Sequence, residues 1–376
     1  MGEAMTEGTL PLIDHHVHGI AAGELDDAGV EILITEASEL PVPGISVFDS
    51  QLGFALRRWC APLLDLEPSA PAERYLQRRA ELGADEVNGR LLRSAEVESW
   101  LVDSGYQTAQ VLTPAQFADA SGTPAYEIVR LEAVAQQVAA SGTDAAGYAE
   151  RFTTALAAAT RDAVGLKSIV AYRYGLDFDP ARPSAAEVRD AAGRWLRALD
   201  GDPGTRLEDP VLLRHCIWTG VDTGLPLQFH VGMGDTDLRL HRADPSLMHD
   251  FMLATQSSGT SIMLLHCYPH HRQAAILSLI FPHVYMDVGE ALNYVGARAP
   301  VILAEALEVT PFHKILYSSD AFGLAELHYL GAACFRRDLA KVTGQFVADG
   351  VWSAADAARV GQLIGSENAR RVYRLP

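Results

Sequence analysis

The chain has 376 residues, 48% of them hydrophobic, and carries a formal charge of −18 with an isoelectric point near 5.1. That length suits one large barrel with insertions, and the apolar fraction can fill its core. The acidic balance argues against broad contact with nucleic acid or anionic membrane, and no run of about 18 apolar residues suggests a membrane span, so the expected partner is a small molecule.

The first apolar stretch, Leu10-Pro11-Leu12-Ile13-Asp14-His15-His16-Val17-His18-Gly19, reads as a strand ending in metal-binding side chains. Period-two alternation puts Asp14, His16 and His18 on one face and Ile13, His15 and Val17 on the other. Two imidazoles so placed can grip one divalent ion from the same side. Residues 26–43 are mixed in pattern. Helical spacing follows over 48–64, 73–82 and 84–93. This helical insertion at about 45–95 either lies over a barrel mouth or forms a peripheral packing layer. Further strands are expected at 97–106, 126–133 (with Arg130 and Glu132 on one face), 164–173, 226–232, 261–266, 284–289 and 314–320. Helical patterns fill most gaps between them and end the chain at about 326–350 and 354–373.

Eight apolar strands alternating with helices indicate parallel βα units. The fold class is α/β, a (β/α)8 TIM barrel of residues 1–376 as one domain, with the helical insertion after strand 1. A doubly wound open sheet is the competitor, but no glycine-rich phosphate turn follows the first strand. In a barrel, function gathers at the C-terminal ends of the strands.

Asp14-x-His16-x-His18 on a first strand resembles the signature of the amidohydrolase superfamily, metal-dependent hydrolases on a (β/α)8 barrel. The resemblance implies a histidine ending strand 5, a histidine ending strand 6 and an aspartate ending strand 8. His230, His266 and Asp320 stand at those places. Within the superfamily the chain is similar to the amidohydrolase-2 group, and in it to the amidohydrolase-like half of FluG-type and nodulin/glutamine-synthetase fusion proteins. Residues 228–235, 264–266, 314–321, 167–173 and 128–132 carry that likeness, which is thin over 20–95.

Carried over, the resemblance implies that His16, His18 and His230 bind the metal, with Asp320 as a further ligand. Asp320 would accept a proton from metal-activated water and pass it to the leaving amine, while His266 would hydrogen-bond the substrate oxygen or the attacking water. Two-metal members use a carboxylated lysine ending strand 4. Lys167 lies on that strand but precedes its apparent end at Arg173. It is therefore either a further ligand or a buried lysine paired with an acid such as Asp14 or Glu132. The expectation is one divalent ion, zinc by ligand type, with manganese or iron as alternatives.

Arg173 is a candidate bidentate clamp for a substrate carboxylate, and Tyr172 and Glu290 are further candidate substrate contacts. Cys267 follows His266 and is expected to point away from it. The four cysteines, Cys60, Cys216, Cys267 and Cys334, form no Cys-x-x-Cys pair, and the start of the chain shows no signal segment. Both features fit a cytoplasmic protein with reduced thiols. The expected activity is hydrolysis of an amide-type C–N bond in a small polar substrate, with a γ-glutamyl amide suggested by the resemblance. Non-oxidative decarboxylation on the same metal site and a non-catalytic, metal-stabilised barrel are the alternatives. A homo-oligomer stays open.

Overall fold

The computed structural model describes residues 9–106 and 110–376; the polar start at 1–8 lies outside the described residues. Seven apolar runs form strands: β1 Leu12–His18, β2 Val97–Asp103, β3 Ala125–Arg130, β4 Gly165–Ser168, β5 Leu227–Val231, β6 Ile262–His266 and β7 Val284–Met286. They pair in chain order, and every pairing is parallel. Helices cover the sheet, so the strands are buried on both faces. Alternate strand residues divide between two apolar clusters. One lies under the covering helices. The other gathers Ile13, Leu101, Ile128, Met263 and Leu265 with Val372 and Tyr373 of the last helix, Asn368–Tyr373.

The expected eighth strand at 314–320 does not form as a strand. Phe312–Lys314 makes a 3-10 turn, and the next residues run extended but irregular. They still bond to both edges of the sheet. Leu316 N–H donates to the Met286 carbonyl at 3.0 Å. Toward β1, His15 N–H donates to Tyr317 O at 3.2 Å, Asp320 N–H to His16 O at 3.1 Å and His18 N–H to Ala321 O at 2.8 Å. Two local features break the ladder here: Asp320 sits in the left-handed region at φ +52°, and β1 shifts register between Asp14 and Val17.

Three further expectations are corrected. First, β4 ends at Ser168, and Val170–Arg173 is one helical turn rather than strand. Glu132 causes the change of direction by accepting Ser168 Oγ–H at 2.7 Å and Ile169 N–H at 3.0 Å. Lys167 is therefore the last but one residue of its strand. Second, Glu132 lies in the first turn of the helix Leu131–Ala140, not on a strand face with Arg130. Third, the β1 register shift breaks the simple alternation over 14–18, so His15 and His16 both turn toward a polar network below the mouth.

The insertion folds as expected into the helices Gln51–Trp59, Ala72–Leu82 and Ala84–Ser94, with a 3-10 turn at Ala61–Leu64. It is the packing layer, not a lid. None of its residues lines the cavity at the strand ends, where residues 25–38 supply that wall instead. It packs on the long helix Ala325–Ala348. There Arg79 Nε donates to Glu326 Oε1 at 2.9 Å and Tyr75 donates to the same oxygen at 3.1 Å, all three side chains being buried. No helix among the described residues is long and apolar enough to cross a membrane.

Breaking a buried pair leaves its partner charge without compensation. Arg79→Met should therefore lower unfolding stability by about 3–5 kcal/mol, read as a reduced urea midpoint at constant slope. Adding Glu326→Leu should restore most of the loss. A single variant as stable as the wild type would show that the pair does not tie the insertion down.

Candidate active site

The site is built from hydrogen-bond donors whose direction can be worked out atom by atom. Gln228 Nε2 lies 2.8 Å from the His15 carbonyl, which can only accept, so the amide nitrogen faces that way and Gln228 Oε1 is the acceptor. That oxygen is 2.9 Å from His16 Nδ1, so His16 carries its proton on Nδ1. Gln228 Nε2 also donates to the Tyr373 hydroxyl at 2.8 Å. Tyr373 in turn donates to His15 Nδ1 at 3.0 Å, and His15 Nε2–H donates to Asp287 Oδ2 at 2.9 Å. The chain from Asp287 to His16 thus leaves the His16 Nε2 lone pair pointing into the site. Burial, and then Lys167, push the His16 imidazolium down to about 4, so at neutral pH Nε2 is unprotonated and accepts from Lys167 Nζ at 2.9 Å.

Around it stand Asp320 Oδ1 at 3.0 Å and Lys167 Nζ at 2.9 Å. His18 Nε2 lies 3.4 Å from the same Asp320 oxygen, while His18 Nδ1 is turned toward the Asp103 carbonyl at 3.3 Å. A lone pair and a carboxylate oxygen 3 Å apart with no proton between them repel unless a cation joins them, and here Lys167 Nζ, 2.9 Å from His16 Nε2, supplies part of that charge. Ligand atoms around one ion at about 2.0–2.1 Å are spaced by roughly 3.0–3.4 Å, which matches both separations. His16, His18 and Asp320 together therefore fit a divalent metal. A second group of candidate donors, His266, Glu290 and Asp320, shares the aspartate.

His266 Nε2 is 3.5 Å from Asp320 Oδ2, and neither ring nitrogen of His266 has a hydrogen-bond partner. Its backbone lies at φ +67°, a conformation uncommon outside glycine, pinned by His266 N–H donating to Asp287 Oδ1 at 2.8 Å. Together with Asp320, it makes two left-handed residues facing each other at the mouth, and such strain gathers at functional sites. His230 takes a different place from His16 and His18. Its Nε2–H donates to the Met233 carbonyl at 2.7 Å, leaving Nδ1 free, and its ring is 4.6 Å from that of His266 and 4.5 Å from that of Tyr172. A Cβ on Gly234 would collide with the Tyr172 hydroxyl, so glycine lets this loop fold over His230.

His18, Lys167, His230 and Asp320 line a cavity of about 560 Å³ whose wall also includes Arg173, Tyr172, Glu290 and Glu36. Burial lowers the Lys167 ammonium and raises the Glu290 carboxyl well above the usual range, with Glu36 and Asp320 adding to the latter. Lys167 pairs with neither Asp14 nor Glu132. Asp14 instead accepts the Ser319 N–H at 3.0 Å, and burial pushes its carboxyl up to about 8. Cys267 is buried, with its thiol turned to the Leu264 carbonyl. Sequence reasoning does not single out Gln228, Asp287, Glu36 or Tyr373. Gln228 stands two residues before His230 and shares its strand face, and Asp287 follows β7 as Asp320 follows its own apolar run, so both carried a usable signal. Glu36 and Tyr373 carried none.

The family model described as Amidohydrolase matches residues 106–375. The chain belongs to the amidohydrolase family. It is 28% identical to Protein fluG of Emericella nidulans over 98% of this chain, and it spans only 46% of that protein's length. A candidate metal-dependent hydrolase from Lactobacillus casei ATCC 334 shares 27% identity at a TM-score of 0.85, covering 97% of this chain and 95% of its own. Uronate isomerase from Thermotoga maritima, 14% identical at a TM-score of 0.63 over 97% and 94% of the two chains, shares the fold. Family membership and ligand geometry meet at the same place, since amidohydrolase His16, His18 and Asp320 already stand at ion-holding separations.

Two outcomes follow. Groups that orient metal ligands typically govern affinity by 10–100-fold, so Gln228→Leu should weaken zinc binding by about 10–100-fold in a competition titration, with Tyr373→Phe weakening it less. Unchanged zinc affinity in Gln228→Leu would dissociate the network from the ligands. The second concerns Asp103, whose buried carboxylate is met by Arg130 at 2.6 Å. Burial would raise this carboxyl, but Arg130, His18 and Lys167 outweigh it and hold it well below the usual range. Its contribution to stability is complete above about pH 4 and fades as pH falls toward its folded pKa. The melting-temperature gap between wild type and Asp103→Asn should accordingly narrow on acidification below pH 4, and a gap that widens there would contradict this.

Proposed function

We propose that the protein is a metal-dependent amidohydrolase that cleaves an amide-type C–N bond in a small, carboxylate-bearing substrate. It would work on one (β/α)8 barrel domain whose eighth position is filled by the irregular segment 315–321. The observation that carries this reading is the spacing of the donor set, His16 Nε2 and His18 Nε2 at 3.0 and 3.4 Å from Asp320 Oδ1, beside a His266 whose ring nitrogens have no hydrogen-bond partner. His16, His18 and Asp320 would hold one divalent ion, zinc by donor type, with manganese or iron as alternatives. His230 and Lys167 stand next to them as further donors.

When bound, the ion supplies Lewis acidity and makes water nucleophilic near neutral pH. Asp320 takes a proton from the attacking water and returns it to the departing nitrogen. His266 donates an N–H to the substrate oxygen as negative charge gathers there. Arg173 grips the substrate carboxylate, and Tyr172 and Glu290 form the facing walls. A γ-glutamyl amide belongs to this substrate class. The likeness to a candidate metal-dependent hydrolase over nearly the whole chain supports hydrolysis. Free, buried cysteines accord with a reducing, cytoplasmic setting.

The test is a panel of amides, γ-glutamyl amides and simple carboxylates, run with zinc-loaded protein and scored by product. Release of ammonia or amine is expected, whereas carbon dioxide without amine would replace hydrolysis by decarboxylation. His266→Asn should lower kcat/KM by about 10²–10³-fold while zinc content stays near that of the wild type. Loss of zinc and melting temperature along with activity would make His266 structural, and two tightly held ions per chain would overturn the single-ion assignment.

A further inference from the structure

The cavity holds unmatched groups of both signs. In its wall Arg173 has Nε and Nη1 buried with no hydrogen-bond partner, and no carboxylate pairs with it among the described residues. The other arginines of the lining are already engaged, Arg130 by Asp103 and Arg206 by Asp237. The wall also includes the helix Gly289–Val295, whose Glu290, Asn293 and Tyr294 share one face at three- and four-residue spacing. Glu290 and Asn293 are 5% and 6% exposed, and Glu290 Oε2 and Asn293 Oδ1 are buried without partners. Glu36 joins them from the wall after β1, taking one hydrogen bond from Tyr294 at 2.6 Å. Neither glutamate has an ion-pair partner among the described residues.

We propose that this cavity is built for a zwitterion: a substrate, of the amino-acid class, whose carboxylate is held by Arg173 and whose protonated amine is held by Glu36, Glu290 and Asn293. Buried donors and acceptors left unpaired are costly, so each set calls for a ligand group of the opposite kind. A dicarboxylate would match Arg173 and drive a second negative charge onto two acids. An ammonium group brings three donors to an acid pair and an amide oxygen, which is the complement those atoms lack. A second metal ion is the rival occupant, because His266, Glu290 and Asp320 place their donor atoms within 4.8 Å of one another. That ion would leave Asn293 Oδ1 unused and Glu36 bound to Tyr294 alone.

The assignment rests on the single-ion hydrolase reading for where the chemistry lies, but its test reads binding without turnover, so a missing ligand preference sinks the assignment alone and only a second tight zinc sinks both. Calorimetry on protein carrying one equivalent of zinc would compare L-glutamate with glutarate and 4-aminobutyrate, and L-phenylalanine with 3-phenylpropionate and phenethylamine. At least one amino acid should bind tenfold or more tighter than both its deaminated and its decarboxylated partner. Glu36→Gln should erase the preference over the deaminated acid and keep the preference over the amine, and Arg173→Met should do the reverse. This crossed pattern is one that loss of packing would not produce. The proposal is overturned if neither amino acid binds, if glutarate and 3-phenylpropionate bind as tightly as their amino acids, or if Glu36→Gln leaves the preference unchanged. It also falls if a second zinc equivalent binds tightly and is lost in Glu290→Gln.

Discussion

Everything at this site depends on one lone pair. His16 Nε2 can serve a metal only if its proton resides on Nδ1, and nothing in an isolated imidazole enforces that choice. Gln228 enforces it, because its own amide is locked by a backbone carbonyl and by Tyr373. The relay ends on Asp287, which also holds His266 through its backbone N–H. One carboxylate thus sets the tautomer of a candidate ligand and the backbone of a candidate acid–base residue. Orientation of this kind, more than the ligand list, decides whether a metal site functions.

That relay explains the use made of the end of the chain. Tyr373 lies 358 positions from His15, in a helix whose apolar residues pack with Ile13, Leu101 and Ile128. The last helix therefore plugs the apolar side of the sheet and delivers one hydroxyl to the layer beneath the metal ligands. Segment 315–321 works in a similar way. It bonds to β7 and β1 without regular strand geometry, and the irregularity is what lets Asp320 turn its carboxylate toward His16, His18 and His266.

His16, His18, His230, His266 and Asp320 were legible because ionisable side chains closing apolar runs stand out against their surroundings. The strands were legible for the same reason, being buried on both faces. The boundaries were harder. Residues 169–171 are apolar and prolong the strand pattern, but a side chain from another helix, Glu132, captures Ser168 and Ile169 and turns the backbone. Lys167 thereby comes to lie one residue from the strand end, a fact that local sequence could not convey. The insertion's helices could be read from their spacing, but their place could not, since it is fixed by Glu326 some 250 residues away. Glu36 was invisible in the same sense. It acquires meaning only beside Tyr294 and Glu290, the former 258 positions further along the chain.

The distribution of unsatisfied atoms carries the argument one step further. A folded chain pairs nearly all its buried polar groups, and the exceptions ask for a reason. Here Arg173, Glu290 and Asn293 line one cavity and His266 lies 3.5 Å from Asp320 in its wall, a local group among unpartnered atoms that also occur elsewhere, while the supporting layer of His15, Gln228 and Tyr373 is fully bonded. His266 and Asp320 add left-handed backbone at the mouth, a conformation also found in turns elsewhere, at Asp65, Ser69, Glu96 and Arg374. The stable apolar layers of the sheet can sustain such local violations, and natural sequences concentrate them where function requires. The site is rigid in its foundation and incomplete at its surface, and what would complete it is a cation among the histidines and a ligand bearing charges of both signs.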